Sequence, residues 1–240
     1  MTSYLLNELS WVAVGRALAR DSRLIVPVGA LEQHGPHLPL GANVRVAEAV
    51  AAEVSECQGI LRAPVFSYGV TVGGGPWPGA AGLRRKTFHR AINELLARWE
   101  DHGVSEFVIV TAHRYEPHLE ALLMALTASS TTTVLDLFHV DVADLLDGDP
   151  EGEHGGELET SLMLYLAPEL VQLDEITDFV PEPRALRRYT RGRVPKPPSR
   201  TRGGVGRPSL ASAAKGAAVF QRYVETVRAL LRKPGDEVVE

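Results

Sequence analysis

Residues 107 to 110, Phe-Val-Ile-Val, form an uninterrupted apolar run. A β-strand of that composition is stable where both of its faces are covered. Residues 24 to 28, LIVPV, form a similar run, and helix-like segments separate such runs along most of the chain. Residues 44–57 place Val46, Val50 and Val54 at helical spacing among charged residues. Between 88 and 102, Phe88, Ile92, Leu95, Leu96 and Trp99 make an apolar stripe, with Thr87 as the expected cap and Gly103 at the stop. Further strands are expected at 62–68 and 132–140, and further helices at 116–129, 157–166 and 210–232. Such alternation implies an α/β fold in one domain over residues 1–240, a mostly parallel sheet sandwiched by helices. Residues 178–209, rich in Pro, Arg and Gly, are expected to form an irregular loop.

Composition removes several classes of function. The 240 residues are 45% hydrophobic and 23% charged, enough for a well-buried core. A net charge of -5 and a pI near 5.9 give no electrostatic case for nucleic acid or an anionic membrane, and the basic cluster from Arg184 to Arg207, interleaved with Pro and Gly, reads as a solvated loop. One cysteine, Cys57, excludes an internal disulfide and fits a reducing compartment. The amino terminus lacks a basic stretch followed by an apolar one, and no apolar run approaches the roughly 18 residues of a membrane helix. The expected location is therefore cytoplasmic.

In open α/β sheets ligands gather outside the carboxyl ends of the strands, and the chemistry-bearing residues fall there. Glu32 and His34, in EQHGPHLPLGAN, follow the first strand. Alternation along an extended chain puts both on one side, aimed at one ion, although E-x-H also suits polar residues that satisfy a turn. GGGPWPG follows the second strand and Asp141 the fourth. His113 follows FVIV in VTAHRYEPH, a position equally suited to ligation, catalysis or capping the next helix, with Glu116 and His118 close by. In GEHGGELETS, His154 precedes two glycines that allow close backbone approach. Glu157, Glu159 and Thr160 open the following helix, where acids are also favoured by the macrodipole alone.

Four segments in order, VGALEQHGPHLPLGAN, VIVTAHRYEPH, EHGGELETSLML and GGVGRPSLASAAKG, together resemble the creatininase family over nearly the whole chain. The resemblance implies a three-layer α/β/α sandwich, commonly a hexameric homo-oligomer, that hydrolyses a non-peptide C–N bond in a small-molecule substrate at a divalent zinc, manganese or iron centre. It places metal-ligand roles on Glu32, His34, His113 and Glu159, and on Asn43, where the family carries an aspartate that bridges two metals. It puts a catalytic acid or base on His154, with Glu116 beside the histidine turn as a second catalytic candidate. Trp77, Tyr115 and Glu157 are expected to line the substrate pocket. A neutral amide at 43 cannot bridge two dications, so one metal per chain is expected. The alternatives are a catalytically silent relative retained as a binding or assembly subunit, and a different metal enzyme, such as a lactonase or deformylase, on the same scaffold.

Overall fold

The computed structural model describes residues 3–71, 77–125, 127–180 and 202–232. Four parallel strands, β1 (Arg23–Val28), β2 (Leu61–Arg62), β3 (Glu106–Thr111) and β4 (Thr131–Asp136), lie in the order β2-β1-β3-β4. Around them pack α1 (Trp11–Leu18), α2 (Ala42–Gln58), α3 (Arg85–Asp101), α4 (Glu116–Leu123), α5 (Glu157–Leu166) and α6 (Ala213–Leu230).

Strand alternation divides the core into two layers. On one face Ile25, Val108 and Val110 meet Val46, Val50 and Val54 of α2, Leu158 and Leu162 of α5, and Val219, Tyr223 and Val227 of α6. On the other, Leu24, Val26, Phe107 and Ile109 meet Phe88, Ile92 and Leu96 of α3, Ala121 and Leu122 of α4, and Ala17 of α1. The two central strands are therefore apolar on both faces, and the result is the expected three-layer α/β/α sandwich.

The elements differ from the sequence expectations in four places. The second strand pairs over only Leu61–Arg62, because Pro64 cannot donate to a ladder; Phe66 rejoins the sheet only through an isolated bridge to Val28. The third helix begins at Arg85, so Thr87 lies inside its first turn and is not its cap. The fourth helix stops at Leu123 instead of running to 129. Downstream, the Glu100 carboxylate accepts backbone N–H bonds from Ala128, Ser129 and Ser130 and turns the chain into β4. The strand expected to reach 140 ends at Asp136, whose side chain accepts from the Phe138 N–H and starts a 3-10 turn over Leu137–His139. Helix α1 had no counterpart in the sequence reading. Of the expected 178–209 loop, residues 181–201 lie outside the described residues.

Chain order fixes where a ligand can sit. From β1 the chain crosses through α2 to β2 on one side, whereas from β3 it crosses through α4 to β4 on the other. The crossovers diverge between β1 and β3, and the crevice between their carboxyl ends is the topological switch point of the sheet. Glu32 and His34 enter this crevice from β1 and His113 from β3. Helix α5 borders it because α6 packs closely on α5: a Cβ at Gly216 would lie 1.9 Å from the Ser161 carbonyl oxygen. Gly216→Ala is expected to push the two helices apart and lower stability by about 1–3 kcal/mol, read as a fall in the urea midpoint without a change of slope.

Candidate metal centre

The close approach of α2 to the end of β1 sets the first part of the site. A Cβ at Gly29 would lie 2.7 Å from the Val44 Cα, so glycine is needed for the contact that brings Asn43 against the β1 exit. The Asn43 Oδ1 accepts the Ala30 N–H at 2.8 Å, and its Nδ2 donates to Glu32 Oε1 at 3.0 Å. The Ala30 donor fixes the amide orientation, because the reverse would set two donors against each other. Asn43 thus links the backbone to a carboxylate: its oxygen takes the Ala30 N–H and its amino group holds Glu32.

Glu32 Oε1 is also 2.8 Å from His113 Nδ1 and 3.7 Å from His34 Nε2. Burial alone would raise the Glu32 pKa, but the charge and hydrogen bond of His113 outweigh it and hold the carboxyl down to about 2. Burial would depress His113, yet the Glu32 carboxylate carries it above the usual imidazole value. His34 shifts downward because it is fully buried, despite the attraction of Glu159.

Each of three histidines spends one ring nitrogen on a backbone carbonyl. His34 Nδ1 donates to the Glu32 carbonyl (3.1 Å), His113 Nε2 to the Val70 carbonyl (2.7 Å) and His154 Nε2 to the Gln33 carbonyl (2.5 Å). An N–H bonded to a carbonyl commits that nitrogen and turns the opposite one toward the site, the usual anchoring of metal-binding histidines; at His34 the opposite nitrogen is a bare lone pair, whereas at His113 it carries the proton donated to Glu32, which an ion would displace. The freed nitrogen of His34 is buried without a hydrogen-bond partner, 3.4 Å from Glu159 Oε1 and 3.7 Å from Glu32 Oε1. A bare nitrogen facing two carboxylate oxygens gains nothing from either. An ion between them satisfies all three, and bonds of about 2.0–2.2 Å in tetrahedral geometry put ligand atoms roughly 3.3 Å apart. The residues present thus fit a divalent metal.

Glu32, His34 and His154 also converge, with one donor atom from each lying within 4.8 Å of the others. The His34 and His154 rings stack at 4.9 Å with an interplanar angle of 27°.

Two further segments hold these residues in place. The backbone of His154 pairs with Val205 in both directions (2.9 and 2.8 Å), and Gln33 Nε2 donates to the Gly203 carbonyl. At Gly155, φ is +64° and a Cβ would lie 2.3 Å from the His34 carbonyl oxygen. The Glu159 Oε2 accepts the Gly155 N–H, which turns its other oxygen toward His34. On the β3 side, His118 packs edge-on against His113 at 4.7 Å. Burial, and secondly the neighbouring His113, hold the His118 pKa down to about 2, so this ring is neutral.

The other expected site residues lie apart from this cluster. Glu116 is exposed in the first turn of α4, a position where the helix dipole favours an acid. Glu157 is fully buried but accepts from the Asp147 and Gly148 N–H groups and is ion-paired with Lys215, so it faces α6 and not a pocket. Asp141 accepts from the Ala143 N–H at the surface. Tyr115 lies close to the site, its ring 6.1 Å from His113. Trp77 opens a turn closed by the Ala80 N–H, and residues 73–76 of the GGGPWPG segment lie outside the described residues. His37, the second histidine of EQHGPH, is a core group bonded to Thr160 Oγ1 at 2.9 Å. Sequence reasoning missed the anchoring carbonyls and Gln33, since any residue carries a carbonyl; only the glycines at 155 and 203 signalled close approach.

Gly155→Ala is expected to cost more than about 2 kcal/mol, combining left-handed strain with the clash on His34. Gly152→Ala, with a similar φ of +75° but nothing within 4 Å, should cost only the strain. Denaturant midpoints of the two variants separate these contributions.

Comparison with known proteins agrees with this geometry. The family profile described as creatinine amidohydrolase matches residues 7–231. The creatinine amidohydrolase of Pseudomonas putida is 34% identical over 203 residues, covering 75% of this chain and 78% of that protein. A mycofactocin precursor peptide peptidase of Mycolicibacterium smegmatis is 30% identical over 210 residues, covering 84% of this chain and 81% of that protein. The crystal structure of a creatininase superposes with a TM-score of 0.82 at 30% identity, covering 96% of this chain and 97% of the other. Solved creatininases of similar likeness include a form described as Zn-Zn type and a manganese form. Together with the order of the sheet and the fit of its crevice to a divalent metal, these matches establish that the chain belongs to the creatininase family of hydrolases.

Proposed function

We propose that this chain is a metal-dependent amidohydrolase that cleaves the C–N bond of a small cyclic amide or formamide, with one divalent ion per chain: zinc, manganese or iron. The observation that carries this reading is the buried lone-pair nitrogen of His34 facing the Glu32 and Glu159 carboxylates. Similarity to a creatinine amidohydrolase supports the bond type. A solved creatininase complexed with creatine supports a small-molecule substrate.

Glu32, His34 and His113 would hold the ion, with Glu159 as the fourth donor. A bound ion polarises a carbonyl and lowers the pKa of bound water toward about 7, which provides a nucleophile at neutral pH. The protein's own groups supply the rest. Carbonyl bonds leave Nε2 of His34 free to ligate and direct Nδ1 of His113 at the same space, where an ion would displace its proton. His154, stacked on His34 with its Nε2 committed to Gln33, presents Nδ1 to the same space and would take a proton there from the attacking water and pass it to the departing nitrogen.

Asn43 supports a single ion. Its Nδ2–H donates to Glu32 Oε1, a neutral hydrogen-bond donor where the family resemblance places a bridging anion, so the negative charge needed to hold two dications would be lacking. The same residue favours one competing reading, a silent relative kept as a binding or assembly subunit, because the departure falls on a bridging position.

Elemental analysis after equilibration with zinc or manganese is expected to find about one ion per chain, lost in His34→Ala and His113→Ala. His154→Ala should keep the ion while losing turnover on a panel of cyclic amides and formamides. A folded chain that takes up no ion would sink the metal reading, and turnover unaffected by chelation would do the same. Asn43→Asp sets two carboxylates together in a buried site, so its metal-free form should melt below the parent. Ion uptake should rise toward two and restore stability. If turnover arises only in that variant, the silent-relative reading holds instead.

A further inference from the structure

His118 takes no part in the ligand set, yet it is buried and bonded at both ring nitrogens. Its Nδ1 accepts the Val70 N–H at 3.2 Å, so that nitrogen is bare, and its Nε2–H then donates to Thr111 Oγ1 at 3.2 Å. One ring face stacks on Phe88 at 4.8 Å and 24°. Gly69 is required beside it, since a Cβ there would lie 2.6 Å from His118 Nδ1. Val70 is thus gripped at both ends, its N–H by His118 and its carbonyl by His113 Nε2 at 2.7 Å. The run Thr111–His118–Val70–His113–Glu32 is one connected line of hydrogen bonds from the end of β3 to the carboxylate at the end of β1.

We infer that His118 is a positioning residue that acts through Val70. By fixing the Val70 peptide it keeps an N–H of His113 at Nε2 and directs Nδ1 at Glu32, so that Nδ1 is the nitrogen free to exchange its proton for an ion. The consequence for ion affinity rests on the reading of His113 as a ligand, whereas the tautomer itself does not. Backbone bonds anchor the preceding residue, the Gly69 N–H donating to the Gly29 carbonyl and the Gly69 carbonyl accepting from Leu83, and His118 extends that anchoring to the Val70 N–H. The imidazole of His118 does this as a neutral acceptor wedged between Phe88 and His113.

The test compares His118→Phe, which keeps a ring against Phe88 without the acceptor, with His118→Asn, whose Oδ1 can take the place of Nδ1. Zinc affinity is measured by chelator competition, and the His113 Nε2 proton by NMR on metal-free protein. His118→Phe is expected to bind zinc about 10–100-fold more weakly, the usual effect of removing an outer partner of a ligating histidine. It should also lose the protected His113 Nε2 proton. His118→Asn should recover both to within a few-fold of the parent. Should His118→Phe fail to fold, the near-isosteric Thr111→Val, which frees the His118 ring, is expected to weaken zinc several-fold and speed exchange of the same proton. The inference is overturned if that proton stays protected in every folded variant, or if Phe and Asn are equally impaired. A parent that shows the protected proton but binds no zinc would overturn the proposed function and leave this positioning role standing.

Discussion

The centre of this structure is held by an electrostatic constraint: carboxylates and imidazole lone pairs facing one another where water is largely excluded. Unpaired polar groups in such a place are costly, and the fold meets the constraint with backbone carbonyls. Three of them, at Glu32, Gln33 and Val70, each take an N–H from a histidine and thereby decide which ring nitrogen remains available. A carbonyl can only accept, so which ring nitrogen carries the committed N–H is built into chain geometry. The carboxylates are fixed in a similar way, Glu32 by the Asn43 amide and Glu159 by the Gly155 N–H.

The sheet order explains why these groups come from distant parts of the chain. The crossovers leave β1 and β3 in opposite directions, so the crevice between them is open at the carboxyl ends. Glu32 and His34 enter from one strand and His113 from the other, while α5 supplies Glu159 along its border. Asn43 holds Glu32 from the start of α2 through an internal hydrogen bond, so the carboxylate is oriented by the protein's own groups.

Much of this was legible in the sequence, and what was not has physical reasons. The uninterrupted runs at 24–28 and 107–110 specified the two buried central strands because no other environment accepts them. Helix α5 was placed correctly by its glycine-rich start and apolar period. The second strand was overextended because β-propensity at Val65 and Phe66 outweighed the missing donor of Pro64. Helix α4 was drawn too long because nothing local signals the capture of residues 128–130 by Glu100. Glu32, His34 and His113 were legible from their positions after strands. Glu157 and Glu159 differ by two residues on a helix and so face different directions, and only packing showed that one meets Lys215 and the other His34. The role of Asn43 depended on the Ala30 N–H, a group with no signature in sequence.

The pairing of His154 with Val205 bears on when the site comes into being. Residues 203–206 press on Gln33 and His154, and the contact between Gln33 and Gly203 spans 170 positions of the chain. During synthesis, β1, β3 and most of the donor groups leave the ribosome well before that closing segment. A nascent chain therefore holds its anionic and imidazole groups without the strap that aligns them. Contacts of such long sequence separation form late and slowly. Capture of an ion with the finished geometry is thus an event of the completed chain, and the tail of the sequence decides when this protein acquires its chemistry.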